Sequence, residues 1–512
     1  MLKSAAVFSD HMVLQCMKPI PVWGRAGAEK EVTAQLGADT VTVRADSNGH
    51  FMAVLPPRPA GRGCTLTLSS ENETIRFTDV AIGEVWYAGG QSNMELMLAE
   101  SWEGERAVAE SACEDIRFYM TPKCAVTGPE LEEAEAASAW QVCGPETSGV
   151  MSAVAYYFAR HLHAAREVPV GILCCAWGGT SISCWMSENQ MQKTAAGMRY
   201  LDNYAALVGD KTDEEYAAEM EAYWADWNAW NDRVQARRRR EPGVTWEVLN
   251  EECGLCPWPQ PAGRQSPFRP AGLFSTMTQR ICPYGIRGFL YYQGEEDESR
   301  CADYDWMMYS LITEWREAWG DRKLPFLFVQ LPMYTAKAEW EAGIDDRHWA
   351  MLRDQQMKIA STVSHTGLAV LTDCGEFDNI HPLDKETVGR RLALQARAKV
   401  YGEDICADAP VMDKVTFAGE RAIVRFRHTG GCLKAAGEEI LGFELAGNDG
   451  TFHSASGRIE TDTVILTADE VQNPMYVRYA WHNYCHANLY GCTGLPAAPF
   501  RTDRFSIEGK AQ

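Results

Sequence analysis

AIGEVWYAGGQSNMELMLAE, residues 81–100, decides how this chain folds. GEVWY is a β-forming run, Gly89 and Gly90 break it, and the residues after Ser92 restart as a helix. A strand that turns through glycines into a helix opens a β-α unit, and the same theme recurs downstream. VPVGILCCAWGG (168–179), IRGFLYYQGEE (286–296), LPFLFVQLPM (324–333) and TGLAVLTDCGE (366–376) read as buried strands. The stretches SAVAYYFARHLHAA (152–165), YDWMMYSLITEWREAW (304–319) and MLRDQQMKIASTV (351–363) read as helices between them. This alternation over about 79–405 predicts an α/β fold with a mostly parallel sheet covered on both faces. Active groups in such a sheet collect at the carboxyl ends of the strands.

Outward from this core the period changes. Residues 1–78 carry short β-formers such as PVWGRAG, EKEVTAQLG, DTVTVRADSNG and GCTLTLSS, separated by turn residues, and predict an N-terminal β-sandwich. Residues 406–512 return to short β runs, AIVRFRH, DTVILTA and MYVRYAW, and predict a C-terminal β domain. A helical and then irregular insertion is expected at about 200–270. There Trp224, Trp227 and Trp230 recur every third residue, as a packed stripe before a sugar platform, ahead of the proline-rich PWPQPAGRQSPFRPAG.

The formal charge of −22 disfavours a nucleic-acid partner, with Arg237 to Arg240 read as a solvated run. No apolar stretch is long enough for a membrane span, and no signal peptide is evident, so a cytoplasmic location is expected. The 17 cysteines follow no regular spacing and are expected to be reduced and mostly buried, Cys174 and Cys175 most clearly. Cys253 and Cys256 have C-x-x-C spacing but no second ligand pair, so no metal and no cofactor are expected. Oligomeric state is open.

Four strand ends carry chemistry. Ser92, in GGQSNME, sits where the free N–H groups of a helix start face an anion, either as a nucleophile or as a simple helix cap. It is not a G-x-S-x-G elbow. His381 and Asp378 share the loop of DNIHPLDK, where an imidazole is available as general base, or where the two form a surface pair. Gly178 and Gly179 in AWGGTSISCW expose backbone, and Gln293 in YYQGEEDE offers an amide beside Glu295, Glu296 and Asp297. Glu295 with Glu296 as a glycosidase pair is disfavoured by adjacency. A metal site of His381, Asp378 and Asp373 lacks ligand spacing, and His11 and His482 are lesser binding candidates.

At these residues the sequence resembles the sialate O-acetylesterase family, a branch of the SGNH hydrolases related to bacterial acetylxylan esterases. The matching pieces are FSDHMVLQ, PVWGRAG, GEVWYAGGQSNM, CCAWGGTSISCWM, GFLYYQGEEDE, DNIHPLDK, GRRLA, VRYAW and ANLYGCTGLPAAPFRTD, from about residue 8 to 504. The resemblance implies a flavodoxin-like SGNH hydrolase sheet, with Ser92 as nucleophile and His381 as general base. It implies Asp378 or Glu295 as the acid that orients His381, and the Ser92 N–H, Gly179 and Gln293 as the oxyanion group. Asp297 departs from the family's Q-G-E-S-N run, and Ser181 stands where proline is common. Trp185 is read as either a pocket wall or core. The implied activity is hydrolysis of acetyl esters on an O-acetylated mono- or oligosaccharide, a sialic acid or a plant glycan such as xylan. Arg269 is a candidate for offsetting the negative field in a cleft, and a noncatalytic carbohydrate-binding protein is the competing class.

Overall fold

The computed structural model describes residues 1–241 and 243–505. Seven strands make the central sheet: β1 (Glu73–Gly90), β2 (Cys113–Met120), β3 (Trp140–Cys143), β4 (Val170–Ala176), β5 (Gly288–Tyr292), β6 (Phe326–Gln330) and β7 (Thr366–Val370). Their order is β3-β2-β4-β1-β5-β6-β7, and every neighbouring pair is parallel except the edge hairpin β3/β2. Covered on both faces, these strands are almost unbroken in burial, as a parallel sheet requires.

Within this sheet the parallel core β4-β1-β5-β6-β7 puts its first strand between the second and third, the order 2-1-3-4-5 expected of a flavodoxin-like sheet, and the β2/β3 pair is added outside β4. One expectation needs correcting. The expected boundary at residue 78/79 falls inside β1. The first half of that strand pairs antiparallel with Gly61–Ser70 of the N-terminal β region, and its second half lies at the centre of the parallel sheet. Val32, Leu36, Phe51 and Leu68 accordingly belong to the same apolar cluster as Trp86, Phe158, Leu311 and Val329.

The C-terminal residues form two four-stranded antiparallel sheets with their own core of Val424, Phe426, Leu445, Val464 and Val477. Here the cysteine expectation also fails in part: Cys432 and Cys492 form a disulfide. They flank the paired strands Leu433–Ala435 and Leu489–Gly491, whose register brings them together across 60 residues without any spacing signature. The other cysteines are free, and Cys174 and Cys175 are buried in β4.

The insertion contains helices Ala195–Val208, Asp213–Arg240 and Trp246–Cys253. The long middle one opens on a capping box, Thr212 with Glu215, and ends on four arginines that complement its dipole. Its tryptophan stripe grades from exposed Trp224 to buried Trp230, which packs with Val234, Leu249 and Cys253 in a separate small core. Among the described residues, no helix is long and apolar enough to cross a membrane.

Candidate active site

Ser92 is the first residue of a one-turn helix directly beyond the carboxyl end of β1. The turn is possible because Gly90 has φ +141° and presses against the Tyr292 carbonyl of β5, where a Cβ would come within 2.0 Å. No side chain caps this helix, so Ser92 is not there to hold a free N–H. Its Oγ instead meets Nε2 of His381 at 2.8 Å. His381 comes from the loop that follows β7, so serine and histidine arrive from two strand ends of one sheet.

The loop is braced from both sides. The His381 N–H donates to Asn379 Oδ1 at 3.0 Å, and Glu376 accepts from the Asn379 amide and from the Leu383 N–H. Underneath, Asn93 Nδ2 donates to the Ile380 carbonyl at 2.9 Å and to Glu295 Oε1 at 2.6 Å, while Lys385 Nζ donates to Asn93 Oδ1 at 2.5 Å. Asn93, the residue after Ser92, is thus joined to Ile380, the residue before His381. Desolvation first, and then the Lys385 charge, push the His381 pKa down to about 4. The imidazole is therefore neutral near pH 7 and free to accept a proton.

The carboxylates fall elsewhere than expected. Asp378, at φ +54°, accepts from the Lys337 N–H at 2.9 Å and from Asn250 Nδ2 at 3.2 Å. Glu295 accepts from Asn93, and its Oε2 has no partner; burial raises its pKa to about 7. Among the described residues neither carboxylate hydrogen-bonds the His381 ring. The direct orienting role expected of Asp378 or Glu295 is absent here, because the loop aims Asp378 at the insertion and Asn93 stands between Glu295 and the histidine loop.

The groups expected as oxyanion donors differ in their partners. The N–H groups of Ser92 and Gly179 have no hydrogen-bond partner among the described residues, whereas that of Gly178 donates to Glu95. Gly179, at φ +72°, lies so close beneath Trp258 that a Cβ would come within 2.1 Å of the indole. Gln293 does not fit the donor role expected of it. Its amide is spent on Gln91 Oε1, the Thr180 carbonyl and Asp297, and it does not line the cleft. Asp297 is the cause: fully buried, it also takes the Tyr200 hydroxyl at 2.6 Å and the Ile182 N–H at 2.8 Å, and so turns the glutamine inward.

A cleft of about 430 Å³ opens over Ser92 and His381. Gln91, Gly179, Glu296 and Tyr334 form its floor and near side, and Trp230, Trp246, Leu255 and Trp258 of the insertion form the far wall. The insertion is therefore part of the site, which its tryptophan spacing signalled and its proline-rich tail, carrying Trp258, did not. Asn93 and Lys385 stood within quoted motifs, but nothing in their spacing revealed that they meet.

Other candidates find structural roles. Trp185 is buried core and donates to Thr180 Oγ1. Arg269 braces the Ser266 and Ala125 carbonyls away from the cleft. Asp373 is paired with Arg391, and no metal-binding group containing it, Asp378 and His381 occurs among the described residues. His11 pairs with Asp79, and His482 with Asp345 and Glu444.

Residues 265–397 match the family model for carbohydrate esterases described as sialic acid-specific acetylesterase. A sialate O-acetylesterase of Mus musculus is 26% identical, covering 97% of this chain and 93% of its own length, and that of Homo sapiens is 24% identical over 97% and 91%. The solved carbohydrate acetylesterase from Xanthomonas citri is 30% identical, covers 98% of this chain and 100% of its own, and superposes with a TM-score of 0.76. The chain belongs to the sialate O-acetylesterase family. It is a carbohydrate O-acetylesterase, and the likeness to the Xanthomonas esterase runs through both flanking β regions as well as the sheet that carries Ser92 and His381.

Proposed function

We propose that the esterase removes acetyl groups from O-acetylated sugars through an acyl-enzyme on Ser92, on a core of the SGNH-hydrolase type. The observation that carries this reading is the 2.8 Å contact between Ser92 Oγ and a neutral His381 Nε2, beside two unpartnered N–H groups. His381 takes the Ser92 proton as Oγ attacks the acetyl carbonyl. The N–H groups of Ser92 and Gly179 hold the oxygen that becomes negative, at a helix start whose dipole has the matching sign. His381 then returns its proton to the departing sugar oxygen. Water enters, gives a proton to His381 and attacks the acetyl carbon, and acetate leaves as Ser92 recovers its hydrogen. Asn93, Glu295 and Lys385 act as positioning residues that fix the two loops relative to each other. The sialate named for the mammalian relatives and the carbohydrate named for the Xanthomonas structure make O-acetylated sialic acid and O-acetylated plant glycan the substrates to compare.

The test is acetate release from O-acetylated N-acetylneuraminic acid and from acetylated xylo-oligosaccharides. Ser92→Ala is expected to lower kcat at least about 10⁴-fold on whichever is cleaved, as removal of a triad nucleophile does. Undiminished turnover in that variant would remove Ser92 from the mechanism.

A further inference from the structure

The turn that carries Ser92 also carries a carboxylate. Glu95 ends the same one-turn helix and lines, with Ser92 and His381, a groove of about 350 Å³ beside the cleft. One of its oxygens accepts from the Gly178 N–H and the other from Lys123 Nζ. Lys123 stands in the loop after β2 and Gly178 in the loop after β4, so side chain and backbone from three strand ends of the sheet meet at one carboxylate. The meeting is close to the nucleophile. A Cβ on Gly178 would stand 3.1 Å from Glu95 Oε2 and 3.2 Å from Ser92 Cβ, so carboxylate and serine border the same spot. Lys123 Nζ also lies 5.8 Å from the ring centroid of Trp177, the residue before Gly178.

Two demands conflict at this place. The glycine loop needs an acceptor that holds it: by taking the Gly178 N–H, Glu95 fixes the backbone leading into Gly179, whose own N–H has no partner among the described residues. Yet a carboxylate beside an oxygen that is about to become negative opposes the reaction, since like charges at short range repel and a site that excludes water screens them little. Lys123 meets both demands, because an ion pair leaves the acceptor in place and cancels its charge. Resting on the serine reading, we propose that Glu95 and Lys123 form a charge-balanced clamp on the oxyanion loop. Glu95 is a positioning residue that commits Gly178 and leaves Gly179 as the donor, and Lys123 keeps the clamp from repelling the oxyanion. The two side chains are about one-third exposed, at 32% and 36%, so the balance is partly open to salt.

The experiment is a double-mutant cycle on a small alkyl acetate, which keeps sugar recognition out of the readout. Lys123→Met leaves the carboxylate bare and is expected to lower kcat about tenfold or more at low ionic strength, with KM within about twofold and part of the loss recovered by added salt. Lys123→Gln should show the same fall if Lys123→Met folds poorly. Glu95→Gln keeps an acceptor for Gly178 without the charge and should hold kcat within about threefold of the parent. The decisive variant is Glu95→Gln/Lys123→Met. Its kcat should return to that of Glu95→Gln alone, a rescue that lost packing around Lys123 cannot give. Glu95→Ala, which removes the acceptor, should lose kcat and gain nothing from Lys123→Met. A double variant as slow as Lys123→Met, or a Lys123→Met enzyme with the parent's kcat, would overturn the proposal. Failure of the serine reading shows differently, as acetate release by Ser92→Ala at the parent rate.

Discussion

The floor and the far wall of the cleft are built by different means. The floor is the carboxyl edge of a parallel sheet, where Ser92, Gly179 and Glu295 follow three neighbouring strands and buried hydrogen bonds of Asn93 tie the Ser92 turn to Glu295 and the His381 loop. The wall is a helical insertion with a small core of its own, Trp230, Val234, Leu249 and Cys253, that lines the cleft with Trp230, Trp246, Leu255 and Trp258. Chemistry needs fixed distances, and a sheet whose inner strands are buried on both faces where they end at the site provides them. Selectivity needs a surface that can change without disturbing those distances, which an inserted helix pair provides. Damage to the floor should therefore appear in kcat, and damage to the wall in KM.

The largest effect expected from this contrast, beyond loss of the nucleophile itself, is that of Asn93→Ala. The substitution removes the amide shared by Ile380, Glu295 and Lys385, leaving a buried carboxyl and a buried ammonium without their partner. We expect kcat to fall about a hundredfold, since misplacement of a base by about an ångström costs that much. Stability should drop by about 1–3 kcal/mol, as for other unsatisfied buried polar groups. Steady-state kinetics and urea unfolding of the same preparation check both. A variant that lost only substrate affinity would break the division between floor and wall.

What the sequence made legible follows the same division. The strand-end motifs around Ser92, Gly179 and His381 could be read because local turn chemistry and burial on two faces leave marks a few residues long. The β2/β3 pair added outside β4 could not, since its place depends on which edge β2 takes. Gln293 was misread for a similar reason. Its direction is set by Asp297 and Tyr200, the latter 93 positions away, and an amide's aim is a property of its neighbours rather than its type. Asp378 looked bound to His381 because three residues separate them, yet its backbone at φ +54° aims the carboxylate at Asn250 and Lys337. The wall was half visible: the tryptophan period showed a packed stripe, and only the folded insertion shows that its end faces the nucleophile.

The floor can also be read through pH. A histidine held at about 4 must gain its proton, and the enzyme lose activity, as the pH falls through about 4 rather than through 6.5. The kcat/KM profile of a small alkyl acetate should thus stay flat from neutrality to about pH 5. Desolvation and the Lys385 charge both favour the neutral ring, so Lys385→Met should move the acid limb upward, toward the ordinary histidine value, along with any loss in maximal rate. For stability the sign is the same. A group whose folded pKa is depressed gains no protons on folding, so the neutral His381 contributes fully above 6.5 and that contribution is lost as the pH falls toward 4. A limb already at 6.5 in the parent enzyme would show that the ring is solvated and the floor looser than its hydrogen bonds indicate.

The smallest effect belongs to the wall. Trp258 lies across Gly179 and divides the catalytic cleft from the pocket that holds Arg300. Nearly half of its surface is open, at 46%, and its one close aromatic neighbour is Phe268, edge-on at 5.4 Å, so little of the fold depends on it. Trp258→Ala should raise KM for a sugar acetate about three- to tenfold, the worth of one aromatic contact of about 0.5–1.5 kcal/mol. It should leave kcat on a small alkyl acetate within about twofold, because such an ester reaches Ser92 without touching the wall. Gly179 makes this a demanding test: freed of the indole above it, a glycine at φ +72° can relax, and its N–H is one of the two proposed oxyanion donors. If kcat falls with the sugar ester and the alkyl ester alike, the wall holds the oxyanion site in shape, and the insertion belongs to the catalytic machinery as much as to recognition.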